Sequence, residues 1–178
     1  MKDKQFVLVV IDVQGKLARV MYDSDILIKN LIILIKGTKL LDIPIIWTEQ
    51  VPEKLGKTVP EIAELLAPNT PVIKSVFSCA RDDDFMKALD ASECKHVLIC
   101  GIETHVCVYQ TAIDLLDMGY QVNIVADAVS SRTKSNKEIG MDRIILAGGN
   151  LTSVETVLFE VQEVAAGDRF RELIKIVK

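Results

Sequence analysis

The hydrophobic residues of this chain form short continuous runs that alternate with longer segments of helical periodicity. Such alternation is typical of strands buried on both faces of a parallel sheet and of the helices that connect them. The apolar runs predict six strands, at 6–11, 45–48, 71–73, 97–100, 121–125 and 151–153. Apolar residues three and four positions apart predict helices at 23–41, 61–66, 85–89, 105–118, 137–146, 156–162 and 167–177.

Strands that alternate with helices predict right-handed crossovers and a parallel sheet with helices on both faces. We therefore expect an α/β fold, a three-layer α/β/α sandwich with a six-stranded parallel sheet, and take the common strand order 3-2-1-4-5-6. A chain of 178 residues is within the size of one domain. Because no linker, repeat or low-complexity segment interrupts the pattern, we expect a single domain over residues 1–178.

The net charge and the hydropathy of the chain argue against some classes of binding partner. The net charge is −4 and the sequence has no cluster of Lys and Arg, which argues against binding to nucleic acid or to an anionic membrane. The first apolar run, 6–11, is far shorter than the roughly 20 residues of a membrane span and lacks the cleavage pattern of a signal peptide. We therefore expect a cytoplasmic protein that acts on a small molecule.

The cysteines and histidines give no pattern of metal or disulfide chemistry. The four cysteines lie in apolar segments without a C-x-x-C pair, and the chain has only two histidines. Neither a disulfide framework nor a zinc site of the usual spacing is predicted. The segment 13–16 after the first strand also lacks the glycine-rich turn that binds nucleotide phosphates. We expect neither a metal nor a cofactor.

Three chemically active residues follow the predicted strands. Asp12 comes directly after the first strand, Lys74 ends the third, and Cys107 lies in the first turn of the helix after the fourth. The carboxyl ends of parallel strands meet at one edge, and ligands bind there where the strand order reverses. If strands one and four are neighbours, Asp12 faces the Cys107 loop and Lys74 reaches in from the third strand.

Together these residues form a chemically coherent nucleophilic site. The carboxylate can accept the thiol proton, and the ammonium stabilises both the carboxylate and a thiolate. The start of a helix also favours a thiolate and offers N–H groups to an oxyanion. Each residue, taken by itself, could also have an ordinary structural role. Asp12 could be a loop carboxylate, Lys74 a solvated lysine and Cys107 a buried core residue. His105 lies two residues from Cys107 and points elsewhere on the helix, so we interpret it as surface or structural.

Five collinear motifs cover nearly the whole chain. They are V-V-I-D-V-Q at 9–14, I-I-W-T-E-Q at 45–50, K-S-V-F-S at 74–78, C-G-I-E-T-H-V-C-V-Y-Q-T-A at 100–112 and V-A-D-A-V-S-S-R at 125–132. In these motifs the chain resembles the isochorismatase-like cysteine hydrolases, a superfamily that includes nicotinamidases and N-carbamoylsarcosine amidases.

The resemblance implies specific roles. Asp12 would be the general base, Lys74 its charged partner and Cys107 the nucleophile. The peptide bond between Ile102 and Glu103 would be cis, and the amides of Glu103 and Cys107 would form the oxyanion hole. These roles follow from the resemblance rather than from the spacing of the residues.

Departures from the relatives restrict the activity. Nicotinamidases that use a metal carry an aspartate and histidines after the second strand, where this chain has Thr48, Glu49 and Gln50. True isochorismatases act without the cysteine nucleophile. The sequence thus predicts a metal-free cysteine hydrolase that cleaves a C–N bond of a small amide-type substrate through a thioester. We expect four residues to line the substrate pocket, namely Gln14, Thr48, Gln50 and Phe77.

Two further expectations concern assembly and an alternative role. Apolar positions on the helices, notably in 23–41, favour a homo-oligomer, as does the resemblance. The alternative to an enzyme is a non-catalytic interaction module that retains the fold and a pocket for a small ligand.

Overall fold

The computed structural model describes residues 6–178 and contains one six-stranded parallel sheet in the order β3-β2-β1-β4-β5-β6. The predicted fold class and strand order are therefore confirmed. The strands are β1 (Phe6–Ile11), β2 (Ile45–Gln50), β3 (Val72–Lys74), β4 (His96–Ile102), β5 (Gln121–Ser130) and β6 (Asn150–Thr152).

Helices cover both faces of the sheet. They are α1 (Gly15–Arg19), α2 (Ser24–Leu40), α3 (Pro52–Leu55), α4 (Pro60–Leu66), α5 (Asp83–Ala91), α6 (Tyr109–Asp117), α7 (Lys134–Leu146), α8 (Val154–Gln162) and α9 (Asp168–Val177). One core cluster includes side chains of α2, α4, α8 and α9, and the other includes side chains of α5, α6 and α7. Between residues 6 and 178, no helix is both long and apolar enough to cross a membrane.

The central strand β1 is buried along its whole length. Leu8 and Val10 point into one core cluster, whereas Val9 and Ile11 point into the other, as expected for a strand between two helical layers. Ile11 is level with Thr48 of β2 and with Gly101 of β4. The carboxyl ends of these three strands therefore meet at one place on the sheet edge.

The largest departure from the sequence prediction is in β5, which continues to Ser130 although the predicted strand ended at Val125. Its pairing with β4 shifts in register between Ile99 and Gly101 and then resumes opposite Val129. Pairing with a buried neighbour overrides the low local strand propensity.

Smaller departures lie near the sheet edge. The short helices α1 and α3 occupy segments for which no element was predicted, because a helix of one turn shows no periodicity in the sequence. The helix expected at 105–118 begins instead as a π-helical turn, Thr104–Val108, and continues as α6. We call this segment the π-turn.

Gly101 allows β4 to lie against the end of β1. Its φ angle is +109°, and a Cβ atom at this position would lie 2.1 Å from the carbonyl oxygen of Ile11. A side chain would therefore both strain the backbone and push apart two buried strands.

We expect Gly101→Ala to lower the free energy of unfolding by at least about 3 kcal/mol, through backbone strain and overlap with β1. Gly119 is the matched control, because its φ is +85° and a Cβ atom added there would have nothing within 4 Å. Gly119→Ala should cost only about 1 to 2 kcal/mol. Urea unfolding measures both values, and equal losses would contradict the steric explanation.

Candidate active site

Asp12 places a buried carboxylate at the end of β1. Its φ angle is 50°, a left-handed conformation that Asp tolerates better than most residues. One carboxylate oxygen, Oδ1, accepts a hydrogen bond of 2.7 Å from the Thr48 hydroxyl, and Oδ2 accepts one of 2.6 Å from Lys74 Nζ. The strand ends thus hold both oxygens of the carboxylate in defined directions.

Lys74, the last residue of β3, forms a buried ion pair with Asp12. Its ammonium also donates to Gln50 Oε1 at 2.7 Å and, at longer range, to the carbonyl oxygens of Val76 and Phe77. Three N–H groups are thus shared among four acceptors within the protein. Acceptors of the protein itself therefore stabilise the charge of Lys74.

Burial acts to lower the pKa of Lys74, but Cys79, Asp12 and Cys107 act in the opposite direction and the net pKa is raised. At neutral pH the two thiols carry little charge, so we attribute the retained proton of Lys74 there to Asp12. Lys74 is therefore an ammonium at neutral pH.

Cys107 lies in the π-turn, with its Sγ atom 4.0 Å from Gln50 Oε1, and the Asp12 carboxylate is close enough to act on the pKa of the thiol. Burial raises the pKa of the thiol above its ordinary range, and Asp12 raises it further, although Lys74 acts to lower it. The expectation that a helix start favours a thiolate is therefore corrected. Loss of hydration, followed by the nearby carboxylate, favours the neutral thiol.

The π-turn packs directly on α7. A Cβ atom at Gly140 would lie 2.8 Å from backbone atoms of Thr104 and His105, so only glycine allows this approach. Gly140 was not among the residues predicted to position the site, although a glycine inside a helical pattern is a recognised signal of close packing. His105 Nδ1 lies 3.0 Å from the Ser131 hydroxyl, in agreement with a structural role.

Glu103 precedes the π-turn, and the peptide bond between Ile102 and Glu103 is cis. Its carbonyl oxygen accepts from the amides of Val106 and Val108, and its carboxylate accepts from the Arg132 guanidinium at 3.1 Å. Its own amide N–H has no acceptor within the described range 6–178.

Gln14 was predicted to bind substrate, but its side chain is fully buried and bonded to the protein. Its Nε2 donates to the carbonyl oxygens of Gln50 and Gly56, and its Oε1 accepts from the Gln50 amide at 2.6 Å. The side chain thus ties the end of β2 and the segment after α3 to the end of β1.

The other predicted pocket residues occupy different environments. Thr48 and Gln50 are buried and contact the ion pair. Phe77 has 54% of its surface exposed, and only its carbonyl oxygen touches Lys74. The structure therefore brings Thr48 and Gln50 to the cluster, whereas the Phe77 ring lies at the protein surface.

Two buried groups near the cluster were missed by sequence analysis. Cys79, one of the four cysteines in apolar segments, has its Sγ atom 3.9 Å from the Thr48 hydroxyl, and burial raises its pKa to about 11. The Glu49 carboxylate accepts from the Thr58 amide at 2.6 Å. The proximity of Cys79 to Lys74 along the chain was the available signal that Cys79 lies near the site.

Over residues 6–178, His, Cys, Asp and Glu form no group of three that could bind a metal.

Comparisons with known proteins define the class. A sequence model of the isochorismatase domain matches residues 6–156. The chain belongs to this family, whose members are generally cysteine hydrolases. It is 37% identical to the secreted isochorismatase effector Isc1 of Phytophthora sojae over 97% of this chain and 84% of that protein. It is 40% identical to isochorismatase domain-containing protein 2A of Mus musculus over 82% and 69% of the two chains.

Solved structures agree with this assignment. The MAR1 ribonuclease from Caenorhabditis elegans has a TM-score of 0.90 at 35% identity and is matched over 98% of this chain and 90% of its own. The YcaC gene product of Escherichia coli, described as an octameric hydrolase of unknown specificity, has a TM-score of 0.91 at 24% identity over 97% and 87%. The second likeness concerns the fold alone.

The buried ion pair predicts a specific pattern of stabilities. Asp12→Asn keeps a residue that tolerates the left-handed backbone but leaves the Lys74 ammonium without its carboxylate, and Lys74→Met leaves the carboxylate unpaired. We expect each single variant to lose about 3 to 5 kcal/mol, and the double variant to lose clearly less than the sum. Urea unfolding of the four proteins measures this cycle, and strict additivity would contradict a coupled pair.

Proposed function

We propose that this protein is a metal-free cysteine hydrolase that cleaves a C–N bond of a small amide-type substrate through a thioester intermediate. One observation carries the proposal: the Asp12 carboxylate and the Lys74 ammonium form a buried ion pair, and both act on the pKa of the buried Cys107 thiol beside them. Such a group contains a nucleophile, a base and a fixed positive charge, the components of covalent hydrolysis.

In the first half-reaction, Asp12 takes the thiol proton while Cys107 Sγ attacks the amide carbonyl carbon. The negative charge moves to the carbonyl oxygen, which the amides of Glu103 and Cys107 would bind. The unpaired Glu103 N–H supports this assignment. The C–N bond then breaks, Asp12 returns the proton to the leaving nitrogen, and the acyl group remains on Sγ as a thioester.

In the second half-reaction, Asp12 takes a proton from a water molecule whose oxygen attacks the thioester carbon. The C–S bond breaks, the proton returns to Sγ, and the carboxylic acid product leaves. Lys74 keeps its charge throughout and stabilises the carboxylate and the developing thiolate in turn. A resting thiol fits this scheme, because the nucleophile is generated only as the proton moves to Asp12.

A metal-free reaction is supported by the side chains at the end of β2. Thr48 and Gln50 bind Asp12 and Lys74, and the Glu49 carboxylate is bonded to the Thr58 amide. All three side chains therefore already have partners in the protein.

A small molecule rather than nucleic acid is the proposed substrate. The C. elegans neighbour is named a ribonuclease, but the net charge of −4 disfavours a polyanion here.

We also propose a cytoplasmic location, although one relative is named a secreted effector. The raised pKa of Cys107 is what would favour the alternative, an interaction module with a retained small-ligand pocket. The hydrolase would turn over a small amide, whereas the interaction module would not.

We expect Cys107→Ala and Asp12→Asn to lower kcat for a small amide by at least about 10³-fold, since each removes an essential group. Ammonia release from a panel of small amides measures turnover, with synthetic RNA in the same panel. Mass spectrometry of a slow substrate should find an acyl adduct on Cys107. Full turnover by Cys107→Ala, or cleavage of RNA alone, would contradict the mechanism.

We also propose a homo-oligomer, which the octameric description of YcaC supports. The expected apolar surface on α2 is largely buried in the core, but α7 exposes Ile139, Ile145 and Leu146, the last at 86%. Sedimentation velocity at micromolar concentration should give a mass above one chain. A monomer under these conditions would contradict the assignment.

A further inference from the structure

Gln50 is held by hydrogen bonds at both its backbone and its side chain. Its backbone N–H and C=O both bond to the Gln14 side chain. Its Nε2 donates to the Ser75 carbonyl oxygen at 3.2 Å, and its Oε1 accepts from Lys74 at 2.7 Å. Since Lys74 can only donate and the Ser75 carbonyl can only accept, these two contacts determine which end of the amide faces the site.

The Gln50 amide oxygen lies between the ammonium of Lys74 and the thiol of Cys107, 4.0 Å from Sγ. An oxygen in this position is an acceptor for an S–H group but would repel a thiolate. It also occupies an N–H group of Lys74 that could otherwise turn towards sulfur. Both effects favour the protonated thiol.

The charged and titratable groups around Cys107 come from several elements. Asp12 at the end of β1, Lys74 of β3 and Cys79 after β3 all act on the thiol. Beside the thiol along the chain, the Glu103 carboxylate is paired with Arg132, and the His105 ring is bonded to Ser131. Within the described part of the chain, Gln50 is the neutral side chain that contacts both Lys74 and Cys107.

We propose that Gln50 is a positioning residue that keeps Cys107 protonated in the free protein and directs Lys74 towards Asp12. This inference rests on the proposed function in one respect, the assignment of Cys107 as nucleophile. It replaces the expectation that Gln50 binds substrate. In this role Gln50 suppresses unproductive thiolate until the substrate carbonyl receives the electron pair and Asp12 receives the proton.

Two variants test this role in opposite directions. Gln50→Met has a similar shape but no acceptor, and it frees an N–H group of Lys74, so we expect Cys107 alkylation at pH 8 to become three- to tenfold faster. Gln50→Glu adds a negative charge beside the thiol, and the same rate should fall by a similar factor. Both variants should lower kcat more than they change KM, because Gln50 would no longer direct the Lys74 ammonium towards Asp12.

The experiment follows iodoacetamide alkylation of Cys107 in the free protein between pH 6 and pH 11 by peptide mass spectrometry. Gln121→Met and Gln121→Glu are matched controls, because Gln121 is exposed at the start of β5. Circular dichroism verifies the fold, and either Gln50 variant alone is sufficient for the test.

A wild-type alkylation profile in either folded Gln50 variant would overturn the inference, and a change in KM alone would restore a substrate-binding role. A slower rate for Gln50→Met would also overturn it. Because alkylation requires no turnover, this failure is distinct from failure of the proposed function, which Cys107→Ala tests separately.

Discussion

The buried ion pair between Asp12 and Lys74 is the interaction on which the rest of the site depends. Removing two charges from water costs several kcal/mol for each, and their attraction compensates only if the remaining donors and acceptors are also paired. Thr48 supplies one partner to the carboxylate, and Gln50 and two backbone carbonyl groups supply the others to the ammonium. The need to pair every buried donor and acceptor explains why the cluster consists of polar groups that bond to one another.

The strand order makes this arrangement possible. The ends of β1, β2 and β3 are adjacent, so Asp12, Thr48, Gln50 and Lys74 come from three neighbouring strands. On the other side of β1, the end of β4 leads into the π-turn that carries Cys107. Gln14, which was predicted to contact substrate, makes hydrogen bonds that help to hold this arrangement.

The environment of Cys107 differs from what its position in the chain suggested. The start of a helix favours a thiolate, but burial and the Asp12 carboxylate favour the thiol. Desolvation depends on how completely the surrounding layers cover the sulfur, and this coverage comes from residues distant in the sequence. The same is true of Cys79, which lies beside the Thr48 hydroxyl although its own segment looks like an ordinary apolar one.

The sequence by itself determined the fold class and the family, because buried parallel strands produce apolar runs and the motifs at their ends are collinear with those of relatives. The strand order was taken as the common one, and the tertiary structure confirmed it. The sequence also selected Asp12, Lys74 and Cys107 as candidates from their places after strands. Tertiary structure decided the extension of β5, the π-turn, the approach of Gly140 and the bonding of Gln14 and Gln50. These features depend on contacts between residues far apart along the chain, which local periodicity does not record.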